Sequence, residues 1–297
     1  MLRPEAMSGF GVSLFGVRAA VVTDSAAAAE VLDRYVLPWL PREPPREATA
    51  DRLVEVRARG AGFEVVVDGA VKEEAATELA AIPHVQRALD DIVVRLQREF
   101  AVLHCGAVAH HGRAVLLPGP TRSGKSTLVA ELVRRGMPYL SDEYALIDAG
   151  GRVHPYPRAL LLRDRGDVER PRLAAELGGV VAEGPMPAGL ILGLRYAPGA
   201  ATAFEALSQG EGLLLLLRNT PQVLVDQPWI LSPLERAVAD ATCSAGLRGD
   251  VEEAAAAILG LASSAAVPGE PRASAGARGP GQCSPGSGRS AAASRAQ

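Results

Sequence analysis

In the run Gly119-Pro120-Thr121-Arg122-Ser123-Gly124-Lys125-Ser126-Thr127, the first eight residues match the pattern GxxxxGK[ST] in full. The residue types in that pattern suit anion capture. Successive backbone N–H groups of a glycine-rich loop point inward and form a nest for phosphate. A helix that follows adds the positive end of its dipole. Lys125 supplies a mobile cation for the β- and γ-phosphates of a nucleotide, and the Ser126 hydroxyl supplies a ligand for Mg²⁺. The lysine stands out because only Lys72 and Lys125, of 31 basic residues, are not arginine. A chain that writes arginine almost everywhere keeps lysine where a compact point charge is needed and a planar fork replaces it poorly.

A phosphate loop does not choose a reaction; its acidic partners do. Leu140-Ser141-Asp142-Glu143 comes soon after the loop. If the chain leaves the intervening helix at Gly136 and returns as the adjacent strand, Asp142 and Glu143 arrive near the γ-phosphate. Tyr144-Ala145-Leu146-Ile147-Asp148 offers a rival, since Asp148 ends a strand and could hold Mg²⁺. Asp148 also fits the mouth of a hairpin turn. His104 lies on an apolar strand and reads either as a site residue or as a satisfied buried histidine. Arg158 and Arg163 flank the apolar strand Ala159–Leu162. Either has the fork to clamp a phosphate, but in an arginine-rich chain both read as surface residues. His84, His110 and His111 read as helix-start and turn residues, and Asp226 as structural. No lysine follows Lys125, so a guanine-reading N/TKxD motif is absent, as is an LSGGQ-like helix.

These side chains need elements to hold them. Leu103–Ala109 and Arg113–Leu117 predict two strands joined at His110-His111-Gly112. The loop and a helix over 124–135 follow, closed by Gly136 at the C′ position. Pro138–Ser141 predicts a short strand, and Tyr144–Asp148 with Arg152–Tyr156 a hairpin. Leu190–Tyr196 predicts a strand; Gly212–Asn219, Pro233–Ser244 and Val251–Leu261 predict helices. Strand, loop, helix, strand is an α/β signature, here with added antiparallel hairpins. Upstream, Gly11–Phe15 and Arg18–Val22 predict strands and Ala26–Leu37 a helix capped by Asp24 or Ser25. Leu53–Ala58 and Phe63–Val67, with a turn signal at Asp68-Gly69, predict a β-meander. Helical spacing predicts a helix over Val85–Phe100. The expected organisation is a small α+β domain at 1–100, an α/β domain at 101–262 and a disordered tail at 263–297 made of Ala, Ser, Gly, Pro and Arg.

The segment Leu103-His104-Cys105-Gly106, then the loop, then the stretch from Leu128 to Glu143 (LVAELVRRGMPYLSDE) together resemble the catalytic domain of the HPr kinase/phosphorylase family. That family has a His-Gly-like strand, a phosphate loop, an E-L-x-x-R-G helix end and an acidic pair. Here these are His104 with Gly106 displaced by one, Glu131-Leu132-Val133-Arg134-Arg135-Gly136, and Asp142-Glu143. The resemblance covers about Leu103 to Asp148. It implies a phosphate-loop core of HPr-kinase/PEP-carboxykinase-like type. It also implies that ATP and Mg²⁺ are used to phosphorylate a hydroxyl, serine foremost, on a peptide, protein or small molecule encoded nearby. Asp142 would be the general base, His104 would sit beside it and tune it, and Ser126, Glu143 and Asp142 would ligate Mg²⁺. A homo-oligomer is implied too. The acidic pair is Asp-Glu rather than Asp-Asp, and no Pro-Gly-Arg-Asn type loop occurs. The resemblance therefore does not extend to the reverse phosphorolysis or to HPr as acceptor. An ATPase and a regulatory nucleotide-binding module remain open alternatives.

Composition sets the remaining bounds. The 297 residues carry 31 basic against 34 acidic side chains, for a formal charge of -3. The tail holds Arg272, Arg278, Arg289 and Arg295 against Glu270, so the rest of the chain carries -6. No basic excess supports a nucleic-acid partner, and 4% aromatic residues make no stacking platform. Cys105, Cys243 and Cys283 are scattered, so neither a disulfide framework nor a zinc site is expected. Apolar runs such as Leu213–Leu217 are far too short for a membrane span of about 20 residues. Phe10–Val22, interrupted by Arg18, reads as a strand pair rather than a signal peptide. A cytoplasmic location is expected.

Overall fold

The computed structural model describes residues 7–45, 50–163, 168–225 and 228–265. Of the tail predicted over 263–297, residues 263–265 are helical; the rest of it and Asp226 lie outside the described residues. Contacts assemble Met1–Val267 into one unit.

The chain opens with the hairpin β1 (Ser8–Leu14) and β2 (Val17–Thr23), turned by Phe15 and Gly16 at φ 53° and 89°. Two residues with positive φ match the right-handed twist of the strands they join. Helix α1 (Ala26–Tyr35) starts at Ser25, whose hydroxyl accepts from the Ala28 amide. It carries the chain over to β3 (Arg52–Arg59), which lies parallel to β2. β4 (Gly62–Val67) and β5 (Ala70–Ala75) complete the sheet in the order β1-β2-β3-β4-β5, with Asp68-Gly69 as the expected tight turn.

Helix α2 runs Glu78–Leu96, seven residues earlier than its predicted start. Pro83 masked the first turns, because its missing N–H leaves one intrahelical bond unmade. The Thr77 cap and the buried Ala81 and Ile82 hold them nonetheless. Residues from α1, α2 and this sheet share one apolar core with Val102, Leu146 and Tyr156 from further along the chain.

The larger sheet begins with β6 (Ala101–His110) and β7 (Arg113–Pro118), followed by helix α3 (Lys125–Arg134). Next come β8 (Tyr139–Ser141), β9 (Tyr144–Ile147) and β10 (Arg152–His154); β11 (Leu160–Arg163) and β12 (Glu169–Arg172) pair as a separate ribbon. β13 (Met186–Tyr196), β14 (Ala203–Ala206), helices α4 (Gln209–Arg218) and α5 (Leu231–Ala239), β15 (Thr242–Arg248) and α6 (Val251–Ala265) complete the described chain. The order across the sheet is β10-β9-β6-β7-β13-β15-β14, with β8 also on β6.

Both faces are covered. Val115 and Leu117 point into a core with α3 and α6, while Ala114 and Leu116 point into one with α4 and α5. A strand buried on both faces reads as a continuous apolar run, which is how β7 appears in the sequence.

Two predicted elements are corrected. β8 returns beside β6, not beside the loop strand β7, because the antiparallel β6 and the parallel β13 already occupy both edges of β7. The helix predicted over Pro233–Ser244 ends at Ala239, and Thr242–Arg248 is a strand next to β13. Its Cys, Ser, Ala and Gly residues show little strand preference of their own, and pairing decides their state.

Candidate functional site

The loop Gly119–Gly124 links β7 to α3. Gly124 is the N-cap of α3 at φ 80° and provides no side-chain cap. The helix therefore presents its first N–H groups without a capping side chain, which is an anion site in waiting. Arg122 also stands at positive φ, 65°. A non-glycine residue held there costs free energy, and such strain gathers at ligand-binding turns. Gly119 is buried, Pro120, Thr121, Arg122 and Thr127 are exposed, and Ser123 and Ser126 are half-buried.

Lys125 is 9% exposed. Its Nζ donates to the carbonyls of Gly119 and Pro120, at 2.8 and 2.9 Å, and lies 3.3 Å from His104 Nε2. Burial lowers its pKa, and Glu143, Cys105 and Asp142 work against that shift. Helix α3 approaches β6 closely because Gly106 has no side chain; a Cβ there would meet Val129 Cγ2 at 2.6 Å.

The acidic pair sits at the junction of β8 and β9, strung along β6 by the bond from the Cys105 amide to the Glu143 carbonyl, 3.0 Å. The two carboxylates then part. Glu143 is half-buried, and its Oε1 lies 3.1 Å from His104 Nε2. Burial pushes Glu143 up, but His104, Arg158 and Lys125 outweigh it and hold the carboxyl below its usual range. His104 thus partners Glu143 and Lys125 rather than Asp142, contrary to the expectation.

Asp142 is sealed in, 1% exposed. Its Oδ1 accepts from Tyr139 Oη at 3.0 Å and lies 3.6 Å from Arg158 Nε; its Oδ2 has no hydrogen-bond partner among the described residues. Burial raises its pKa, against the pull of Arg158 and of the Ser126 hydroxyl.

Arg158 corrects the reading of a surface arginine: it is 2% exposed and paired with Asp90 of α2 as well as Asp142. Burial alone would lower its pKa, but the two carboxylates more than reverse that. Arg163 is at the end of β11, with Glu169 at 3.1 Å. Asp148 is occupied by its turn: Oδ1 accepts from the Gly150 and Arg152 amides and Oδ2 faces His154 Nε2 at 2.8 Å. Cys105 is buried, which pushes its thiol up to about 12.

Two site residues escaped the sequence reading. Asp90 was one polar letter among the apolar positions of α2; its signal was Gln86 four residues earlier, a second buried polar side chain on the same face. Arg248, on β15, donates from Nη2 to the carbonyls of Ser123 and Gly124 at 3.0 and 3.2 Å and stacks over Tyr196. The start of its strand was read as the end of a helix and Arg248 fell in no predicted element, so nothing brought it to the loop.

The donor set was tested against Mg²⁺. No group of three or more His, Cys, Asp or Glu able to hold a metal occurs among the described residues. Mg²⁺ is commonly held by one or two carboxylates with phosphate and water completing the shell. The unpartnered Asp142 Oδ2, with Glu143 and Ser126 at hand, fits that pattern. Two cavities, of about 640 and 690 Å³, lie elsewhere, the first lined by residues of β5 and α2 and the second by residues around Trp39 and Val180. No helix among the described residues is long and apolar enough to cross a membrane.

No family model and no curated protein sequence matches the chain. Among solved structures, the HPr(Ser) kinase/phosphatase from Coxiella burnetii is similar over 55% of this chain and 94% of that one, at 14% identity and a TM-score of 0.32.

Proposed function

We propose that the chain is an ATP- and Mg²⁺-dependent phosphotransferase that passes the γ-phosphoryl group to a hydroxyl, serine foremost, of a peptide, protein or small molecule. One observation carries the reading. An uncapped helix start, a buried Lys125 and the acidic pair Asp142-Glu143 converge on one loop.

The β- and γ-phosphates take the nest of loop amides, with Lys125 turning its Nζ from the Gly119 and Pro120 carbonyls to the phosphate oxygens. Ser126 and Glu143 would hold Mg²⁺, which would supply charge neutralisation on the phosphates when bound. His104 bonds Glu143 and keeps it ionised and oriented. Asp142 is the general base. Its raised pKa makes it a better proton acceptor than an ordinary aspartate. A lone pair of the acceptor oxygen forms the new bond to the γ-phosphorus. The bond from that phosphorus to the β,γ-bridging oxygen breaks, its electron pair leaves with ADP, and the acceptor proton passes to Asp142.

The test is incubation with γ-labelled ATP and candidate acceptors, the products of neighbouring genes first. Label on an acceptor hydroxyl is expected; label in free phosphate alone would sink the kinase reading in favour of an ATPase.

A further inference from the structure

Helix α2 belongs to the segment predicted as a separate small α+β domain. Yet it sends a carboxylate into the centre just described. Asp90 is 5% exposed. Its Oδ2 pairs with Arg158 and its Oδ1 accepts from Tyr156 Oη at 3.0 Å. One turn earlier, Gln86 donates from Nε2 to the Ala159 carbonyl at 3.2 Å and to that of Tyr35 at 3.3 Å. One face of α2 therefore grips the 156–159 segment at several points.

The grip reaches Asp142. The Arg158 guanidinium is shared between two buried carboxylates, directly bonded to Asp90 and 3.6 Å from Asp142 Oδ1. Tyr139 holds the same Oδ1. Asp142 is thus fastened by Oδ1, while Oδ2 makes no hydrogen bond and only the Ser126 hydroxyl of the loop also pulls on the carboxyl. A carboxylate that must receive a proton or a metal needs one free oxygen in a fixed direction. A full two-oxygen fork with arginine would consume both.

We propose that Asp90 and Arg158 are positioning residues: by holding the guanidinium on its far side, Asp90 stops Arg158 from taking both oxygens of Asp142 and keeps Oδ2 free for the transfer. The role rests on the phosphotransferase reading. It also gives the first hundred residues a part in the chemistry beyond packing. Two acids sharing one base is a poor arrangement for stability, because desolvating charges costs more than an incomplete pairing returns. A simple structural pair would need one acid only.

The test uses the full chain, comparing Asp90→Asn, Tyr156→Phe and, as a matched loss of packing in the same core, Leu32→Ala. Turnover of γ-labelled Mg-ATP, counting transfer to acceptor or to water, is measured beside ATP affinity and melting temperature. Asp90→Asn is expected to lower kcat by about 10- to 100-fold, the usual cost of losing a partner that orients a site ligand. ATP affinity and KM should stay within about twofold of the parent, since the loop is untouched. Tyr156→Phe, which removes one bond to Asp90 and keeps the ring, should lower kcat by about threefold. It decides the matter if Asp90→Asn does not fold. Leu32→Ala should lower the melting temperature and leave kcat unchanged. Unchanged kcat in the folded Asp90 and Tyr156 variants, or an equal kcat loss in Leu32→Ala, overturns the positioning role alone. A parent protein that binds ATP and never releases the γ-phosphate overturns the transfer reading and this role with it. A parent that binds no ATP overturns the loop assignment.

Discussion

Asp142 and Glu143 are neighbours in the chain and opposites in surroundings. Asp142 faces inward to Tyr139 and Arg158, 1% exposed, and burial raises its pKa. Glu143 faces the half-open loop with His104 and Lys125, and these two together with Arg158 hold its pKa down despite burial. The bend between β8 and β9 sends the two side chains to different surroundings, so one dipeptide serves two regions. The difference assigns roles. The carboxyl raised by burial suits accepting a proton, and the one held down by cations suits staying charged beside phosphate and metal.

The largest effect should come from the buried side. Asp142→Asn should slow phosphoryl transfer by about 10²- to 10⁴-fold, the range for losing a general base. ATP should still bind, as titration calorimetry would show. Full activity in this variant would pass the role to Glu143 and dissolve the contrast. Arg158→Met comes next: removing the cation leaves Asp90 and Asp142 uncompensated, with an expected loss of about 3–5 kcal/mol in urea unfolding. On the open side, Lys125→Ala should weaken ATP binding by about 100-fold, since charge-assisted bonds are each worth about 1.5–3 kcal/mol. Its fold should survive.

The pH dependence of stability sharpens the same division. Burial pushes Asp90 up to about 6 from 3.8. The folded state then binds the proton more tightly than the unfolded one. Through the window from about pH 4 to 6 this group makes stability fall as pH rises. Glu143, held below 4.5 in the fold, acts in the opposite sense: its contribution is present above that value and is lost as pH falls through its folded pKa. Asp90→Asn should therefore remove the falling component between about pH 4 and 6 in a series of thermal melts. The smallest effect marks the background. Asp91→Asn, which breaks the exposed pair with Arg95 on α2, should leave the urea midpoint unchanged.

Much of the local structure was legible. Asp68-Gly69 and His111-Gly112 announced turns that need positive φ, and both adopt it. The strand, glycine loop and helix from Arg113 to Arg134 follow their letters, because β7 is apolar from Ala114 to Pro118 and α3 buries Leu128, Val129, Leu132 and Val133 on one face. One readable signal passed unused: Ser208 and Glu211 form a reciprocal cap that starts α4 three residues before its predicted beginning. The strand β15 was harder to read, since its small residues become a strand only through pairing with β13 and β14.

The sequence by itself determined the loop, the helix that follows it, and the presence of an acidic pair soon after. Each is set by residue type over a short span, through glycine's backbone freedom, the apolar spacing of a helix and the placement of one lysine. Tertiary structure alone decided which acid faces which cation. Asp90 and Arg158 meet because α2 packs across the 156–159 segment, and Arg248 reaches the loop because β15 lies beside β13. A charged side chain carries no mark in the sequence of whether it will face water. That depends on which distant elements cover it, and in the protein interior a buried charge must find its opposite wherever the chain returns.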